Sequence, residues 1–390
     1  FQGDTEAAIT LVEELQTEDI PDRLIGKFYY FSGIAYEAIR NNAKSLEYFN
    51  KSLEIHLNNN NSDMVSDIYV RLGLVFINTG EYETSMKNLE KAISLYKENK
   101  NILELSSAYG TVGNIFLFQG KFEKAYKIFE KQYEISKKYD SRMNIQVSLG
   151  NLALIDNIHG KFSKALNKFN ELLINSEEIN DRMNICKTYG NIGIAHKNLN
   201  EYDLAIENFN EQIKIAEDSN YKGQLAFANI NKGIAFHKSG DFKNSLKCYD
   251  CSKNIIDEIN DNNAKSLFYG NIGNLLLDKG EFTSAIEAFE NAIKIFKKLD
   301  NQRGINLARL KISEINFLND KFSEAMKGMS DISNHFKEIN DAPYYSMSLM
   351  LHAKIKRKSK SYKEAHNLLD SAIEINKKLN DSNLYNESVI

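Results

Sequence analysis

The hydrophobic and polar positions of this chain repeat with a period of 40 residues. A glycine, one variable residue and an aromatic residue recur at 80–82, 120–122, 160–162, 240–242 and 280–282, with looser copies at 200–202, 320–322 and 360–362. A small residue follows each aromatic residue by three positions, and a large apolar residue follows it by seven. A fixed period of this length predicts a solenoid, in which similar units stack and contact only their neighbours.

Each repeat contains two patterns with helical spacing. In the second pattern, Phe282, Ala285, Ile286 and Phe289 fall three or four residues apart, which predicts an amphipathic helix. The first pattern carries a column of small residues, namely Gly33, Gly73, Gly113, Gly193, Gly233 and Gly273, continued by Ala153, Ser313 and Ala353. Glycine costs about 1 kcal/mol inside a helix. The column therefore predicts the places where the two helices of a repeat touch.

Aspartates punctuate the chain between these helices. Aspartate is a preferred helix N-cap because its carboxylate accepts a hydrogen bond from a free N–H of the first turn. We therefore predict N-caps at Asp140, Asp181, Asp261, Asp300, Asp341 and Asp381.

These columns resemble the tetratricopeptide repeat, whose pattern combines an aromatic residue, Leu-Gly, an aromatic residue, Ala, an aromatic residue and Ala. Residues 270–289 show it well, and the resemblance covers about residues 24 to 380 in nine repeats. The period is longer than the usual figure of about 34 residues, and the proline that commonly closes the second helix is missing. The chain is thus similar to the long-repeat subgroup, which includes kinesin light chains, spindle-orientation adaptors and bacterial regulatory arrays. The resemblance implies an all-α fold, a right-handed superhelical α-solenoid of stacked antiparallel helix pairs.

Both ends depart from the repeat. Residues 1–3 match the remnant of a cleaved expression tag, so they are excluded from the predicted fold. Residues 4–380 are predicted to form a single solenoid, beginning with a half repeat at 4–20. Residues 381–390 resemble the start of a further first helix that is cut short. Half-units at both ends indicate a fragment of a longer protein.

Composition narrows the class of protein. The chain is 26% charged and 42% hydrophobic, and its formal net charge is −4. No apolar run approaches the roughly 18 residues of a membrane helix, and no overall basic field favours nucleic acid. There is no signal peptide, and three cysteines give no disulfide framework. We expect a cytoplasmic protein with no membrane or nucleic-acid partner.

Motifs for catalysis are missing from the sequence. It contains no phosphate-binding loop, no H-E-x-x-H and no G-x-S-x-G, and its seven histidines are scattered. We therefore expect no enzyme activity, no cofactor and no metal. Cys248 and Cys251 form a C-x-x-C, a spacing found in redox and zinc sites. Because Tyr249 between them occupies the core aromatic column, we interpret both cysteines as small residues in or beside the core.

The more informative positions belong to the first helices. Two residues before the small column lie Asn151, Asn191, Asn231 and Asn271, and one residue after it lie Asn114 and Asn274. By resemblance, these positions face a concave groove. A carboxamide both donates and accepts, so it can hold a peptide backbone. With helices about 8–10 Å apart, one asparagine meets every third residue or so of an extended peptide, at about 3.3 Å per residue. The alternative is hydrogen bonding between repeats.

Neighbouring groove positions would supply specificity: Lys187, Lys197, Phe227 and His237, with Asn157 and Asn198. Chaperone-binding members of the family use a clamp of asparagines and cations for a terminal carboxylate. Asn114, Asn151 and Lys187 fit that clamp, but Gly110 and Asn191 replace two of its cations, which argues against a chaperone partner.

A local basic run occupies residues 354–363. Its members are Lys354, Lys356, Arg357, Lys358, Lys360 and Lys363. The run is suited to an acidic segment or an adjoining domain, and equally to a solvated terminal face.

Two functions fit the sequence. The first is a scaffold that binds a peptide or protein segment in the concave groove. The second is a regulatory array of a larger signalling or effector protein, such as a kinase, peptidase or transcription factor, acting on an attached domain as an intramolecular partner. A peptide-pheromone receptor fits less well, because no N-terminal helix-turn-helix or three-helix bundle is visible.

Overall fold

A computed structural model describes residues 2–15 and 20–379, with side chains from residue 7 onward. Every regular element in these ranges is an α-helix. The helices are α1 Gln2–Leu15, α2 Asp22–Ala38, α3 Asn42–Asn58, α4 Ser62–Asn78, α5 Tyr82–Glu98, α6 Ile102–Phe118, α7 Phe122–Lys138, α8 Arg142–Ile158, α9 Phe162–Glu178, α10 Arg182–Asn198, α11 Tyr202–Asp218, α12 Lys222–Lys238, α13 Phe242–Ile259, α14 Asn262–Asp278, α15 Phe282–Lys298, α16 Gln302–Leu318, α17 Phe322–Met326, α18 Met329–Glu338, α19 Ala342–Lys358 and α20 Tyr362–Leu379. None of these helices is long and apolar enough to cross a membrane.

The chain divides into two compact units, the first ending at Ala195 and the second starting at His196. In the first unit, α2 packs on α3, α4 on α5, α6 on α7 and α8 on α9. In the second unit, α12 packs on α13, α14 on α15 and α19 on α20. Second helices also contact the first helix of the next repeat, as α3 contacts α4 and α15 contacts α16. The predicted all-α solenoid of stacked antiparallel helix pairs is confirmed within each unit.

The period has a backbone cause. Along residues 20–379, a residue in the left-handed conformation ends a helix at every twentieth position, from Arg40 to Lys360. At Asn60, for example, φ is +54°, and the next N–H, that of Asn61, donates to the His56 carbonyl at 2.9 Å. This bond satisfies one of the carbonyls that a helix end leaves free. Two such helix-and-turn units of 20 residues make one repeat.

The N-cap predictions are correct for two aspartates and wrong for two. Asp181 Oδ1 accepts from a backbone N–H in the first turn of α10 at 3.0 Å, and Asp261 Oδ1 does the same in α14 at 2.7 Å. Asp140 and Asp300 instead end the preceding helix, each with φ +52°. The cap position falls one residue later, and Asn301 fills it before α16.

The two remaining aspartates differ again. Asp341 occupies the N-cap position of α19 without a side-chain cap bond, and its Oδ2 accepts from Arg303 Nε at 2.7 Å. Asp381 lies outside the described residues.

The small column marks direct contact between helices, as predicted. A Cβ built on Gly113 would lie 2.5 Å from the ring of Phe129, and one on Gly273 would lie 2.8 Å from the ring of Phe289. Both rings are buried. Where the second helix supplies a serine, such as Ser245, its hydroxyl donates to the glycine carbonyl across the pair, here Gly233 at 2.8 Å. At these glycines, the absence of a side chain permits the close approach.

One second helix departs from the predicted pattern. The sequence predicts a continuous helix after Phe322, but the structure breaks it between α17 and α18 at Gly328, whose φ is +77°. Ala325 and Met329, on either side of the break, remain fully buried. The core positions of the repeat are therefore preserved, although a new helix, α18, begins in the middle of it.

Candidate functional site

In the first unit, three of the predicted groove asparagines lie on successive first helices. Asn114 on α6, Asn151 on α8 and Asn191 on α10 are all half-buried, and Lys187 on α10 is exposed. Asn151 lies within a stripe of exposed apolar side chains on α8, formed by Met143, Val147, Leu154 and Ile158. Amide and apolar groups therefore share one solvent-facing stripe of this helix.

In the second unit, the asparagine side chains are oriented by their own helices. Asn231 Nδ2 donates to the Phe227 carbonyl at 3.1 Å, and Asn271 Nδ2 donates to the Leu267 carbonyl at 2.8 Å. Their donor groups therefore bond within one helix rather than between repeats. The amide Oδ1 atoms remain as potential acceptors for a ligand.

A cavity of about 560 Å³ opens beside Asn271. Its walls come from first helices: Phe227 of α12; Asn263, Ser266, Leu267, Gly270, Asn271 and Asn274 of α14; Gly304, Leu307, Ala308, Leu310 and Lys311 of α16; and Tyr344 of α19. Phe289 and Phe296 of the second helix α15 also line it. Three predicted site residues, Phe227, Asn271 and Asn274, are thus brought to one place.

Two glycines explain why this space exists. A Cβ on Gly270 would meet nothing within 4 Å, so the absent side chain leaves its place on α14 empty. A Cβ on Gly304 would lie 2.6 Å from the ring of Phe296, so glycine lets α16 approach that ring closely. Phe289 and Phe296 of α15 therefore line the cavity together with residues of α14 and α16.

Side chains from later repeats complete the site. The Tyr344 ring lies 5.7 Å from that of Phe336 and 5.3 Å from the Arg303 guanidinium, which fixes its position. Lys311 Nζ lies 2.8 Å from Glu314 Oε2. The site therefore combines an apolar interior with amides on one helix and a cation on the next, a composition typical of sites that bind an apolar group in a fixed orientation.

The residues that α16 and α19 contribute were not identified from the sequence. Gly304, Leu307 and Lys311 lie three and four residues apart, so they share one face of α16. That spacing could have identified these three residues as one surface of α16. Tyr344 had no such signal, since it does not belong to the columns that defined the groove positions in other repeats.

Other predicted groove residues lie elsewhere in the second unit. His237 Nε2 pairs with Asp278 Oδ2 at 2.8 Å, beside the ring of Phe242. Burial, and secondarily Lys238, lower the pKa of Lys197. Neither His237, Lys197 nor Asn231 lines the cavity.

The cysteine pair lies apart from the cavity. Cys248 is buried and Cys251 is exposed, so the two thiols occupy different environments on α13. Burial raises the pKa of the Cys248 thiol, which keeps it protonated. Across the described ranges, no group of three or more His, Cys, Asp or Glu side chains is arranged to hold a metal.

Comparisons with known sequences identify the repeat. The profile of the tetratricopeptide repeat matches residues 66–99, 106–139, 187–219 and 267–298. A profile of anaphase-promoting complex subunit 5 matches residues 313–389. No curated protein is significantly similar to the chain in sequence.

Solved structures share the fold at low sequence identity. RapI in its apo form is 15% identical with a TM-score of 0.59, over 70% of this chain and 98% of RapI. A Rap protein complexed with competence and sporulation factor is 15% identical with a TM-score of 0.53, over 83% and 95%. A tetratricopeptide repeat protein from Parabacteroides merdae is 18% identical with a TM-score of 0.53, over 73% and 98%. Repeat profile, helix pairing and glycine contacts agree: the chain is a tetratricopeptide repeat protein built from 40-residue repeats.

Proposed function

We propose that this protein is an interaction scaffold that binds a peptide or protein segment along the faces of its first helices. The observation that carries the proposal is the cavity beside Asn271 in the second unit. Its volume of about 560 Å³ falls within the roughly 300–1,000 Å³ typical of ligand sites. An apolar side chain of the ligand would occupy the space between α14 and α16.

The amides would then hold the backbone of the ligand. Asn271 is fixed by its bond to the Leu267 carbonyl, so its Oδ1 can accept a peptide N–H without losing further side-chain freedom. Asn274, one turn along α14, is half-buried and can contribute both donors and an acceptor. Such contacts bind main chain and leave selection of the side chain to the cavity.

The first unit carries amides at the corresponding positions of its first helices. We propose that Asn114, Asn151, Asn191 and Lys187 contact a ligand on the first unit, and that Asn231 contacts a ligand on the second unit. The comparison that supports peptide binding is the Rap protein complexed with competence and sporulation factor, at 15% identity. In the regulatory alternative, the bound segment would come from an attached domain and use the same surfaces.

Filling the cavity tests the proposal. Leucine at position 270 replaces a glycine whose Cβ would meet nothing within 4 Å, so Gly270→Leu should fold while occupying the space. A random peptide library displayed on phage is selected on the parent protein, and individual peptides are then measured by fluorescence anisotropy. We expect the selected peptides to share a bulky apolar residue and to bind Gly270→Leu at least tenfold more weakly, about 1.4 kcal/mol.

Gly270→Ala provides the matched control, since one methyl group fills little of the cavity. Its peptide affinity should stay close to that of the parent protein, and both variants should keep the helical circular dichroism signal. Equal binding of the selected peptides by the parent protein and Gly270→Leu would refute the assignment of this cavity.

A further inference from the structure

A second cavity in the second unit lies at the break between α17 and α18. This cavity has a volume of about 550 Å³ and lies between the start of α18, the face of α19 and the start of α20. It shares no lining residue with the cavity beside Asn271. Gly328 and Asp331 line it together with His352 and Lys356 of α19 and Glu364 of α20.

The start of α18 presents unpaired donors to this space. Gly328 adopts the left-handed conformation before the helix and provides no side-chain cap. The first N–H to bond back along the helix is that of Ile332, which donates to the Gly328 carbonyl at 3.0 Å. The N–H groups of residues 329–331 therefore have no carbonyl partner within α18. They lie at the positive end of its dipole, which favours an anion.

A buried side chain independently indicates a ligand here. His352 is 8% exposed and lines the cavity, and no residue in the described ranges forms a hydrogen bond with its imidazole. Its ring nitrogens are not enclosed by protein and the residue lines the cavity, so the ring can bond a group held there. One turn along α19, Lys356 Nζ lies 2.6 Å from Glu364 Oε2. An ammonium has three donors, so Lys356 can keep that bond and donate to a ligand as well.

We propose that this cavity binds a phosphate group, supplied either by free phosphate or by a phosphorylated side chain. Its oxygens would accept from the N–H groups at the start of α18, from Lys356 and from the His352 ring. A tetrahedral dianion offers several acceptor oxygens, which matches this spread of donors. The basic run at 354–363 attracts such an anion, whereas the carboxylates of Asp331 and Glu364 oppose it.

The test is a titration of the intact chain, monitored by the NMR signals of the His352 ring. Those signals are assigned by their loss in His352→Gln. The probes are inorganic phosphate, a phosphoserine peptide and its unphosphorylated twin. Burial and then Lys356 lower the pKa of His352, so phosphate binding should raise that pKa while the signals shift saturably. Saturation by phosphate alone supports the free ion as ligand, and saturation by the phosphopeptide but not its twin supports a phosphorylated segment.

Three variants sharpen the outcome. Lys356→Met should weaken binding at least tenfold, as expected for a charge-assisted hydrogen bond. Asp331→Asn should strengthen it about threefold or more, because a like charge is removed. Lys363→Met, an exposed member of the same basic run outside the cavity, should change binding little. The proposal is overturned if neither phosphate probe gives a saturable shift, if Lys363→Met weakens binding as much as Lys356→Met, or if Asp331→Asn does not strengthen it.

Discussion

Two glycines of α14, three residues apart, should respond in opposite ways to the same substitution. At Gly270 an added Cβ would meet nothing within 4 Å, whereas at Gly273 it would lie 2.8 Å from Phe289 Cε1 and 2.9 Å from its Cζ. Both positions are helical, so alanine removes the same backbone penalty at each. The comparison therefore isolates the contact between the two helices of the repeat.

The magnitudes follow from these distances. Alanine in place of glycine stabilises a helix interior by about 1 kcal/mol, which is the expected gain for Gly270→Ala. At Gly273 the same gain is opposed by overpacking, which costs about 1–3 kcal/mol. Three ring atoms of Phe289 would lie within 3.0 Å of the added Cβ, so we take the upper half of that range. Gly273→Ala should lose about 1–2 kcal/mol, and the two variants should differ by about 2–3 kcal/mol.

Urea unfolding followed by far-UV circular dichroism measures the difference. Because repeat arrays can unfold in parts, hydrogen exchange of the α14 and α15 amides should be measured alongside it. Equal stabilisation by both substitutions would refute the reasoning, since the small column would then have no packing role. Equal destabilisation would show that Gly270 also lies against a neighbour.

Three further outcomes are expected. Lys100 has φ +61°, so Lys100→Gly should raise the free energy of unfolding by about 1 kcal/mol. Asp156 is 1% exposed and lies 2.6 Å from Lys168 Nζ. Asp156→Ala should therefore cost about 3 kcal/mol by leaving the lysine unpaired. Burial lowers the pKa of His56, so the unfolded chain binds the proton more readily. Stability should fall as pH drops below about 6.5, and less so in His56→Gln.

Each of these has its own check in thermal or urea unfolding. Gly120 has φ +68°, so Gly120→Ala should lower the free energy of unfolding, whereas Lys100→Gly should raise it. If both substitutions raised it, backbone strain would not explain the effect of Lys100→Gly. Replacing Asp156 and Lys168 together with leucine and methionine should recover most of the loss from Asp156→Ala. If acid destabilises His56→Gln as much as the parent protein, the histidine does not contribute to the pH dependence.

Repetition made the fold predictable from sequence. The column from Gly33 to Gly273 predicted helix contacts, and those contacts exist because no single repeat can bury its apolar face alone. The cap positions of Asp140 and Asp300 were misjudged by one residue. Aspartate is suited both to an N-cap and to the left-handed residue before it, so its identity alone does not decide between the two positions.

The cavities were less predictable because each depends on the side chain that is missing at one position. The sequence around Gly270 does not indicate a cavity. The cavity forms only in the folded chain, where Gly304 allows α16 to lie close to the ring of Phe296. Gly328 is the one glycine inside a second helix across 24–379, a signal that would have located the break. The sequence spacing does not reveal which side chains line the cavity beside that break. His352 reaches it only through the packing of α19 against α18.

The left-handed residue at every twentieth position also bears on how this protein changes through generations. Duplication or loss of a block of 40 residues joins one turn to an equivalent turn, so the later helices keep their faces. An insertion or deletion of one or two residues within a helix instead rotates the rest of that helix by about 100° for each residue, which turns its core face towards solvent. Heritable changes in length should therefore come in whole repeats, so that descendants extend or shorten the array while inheriting its remaining binding sites intact.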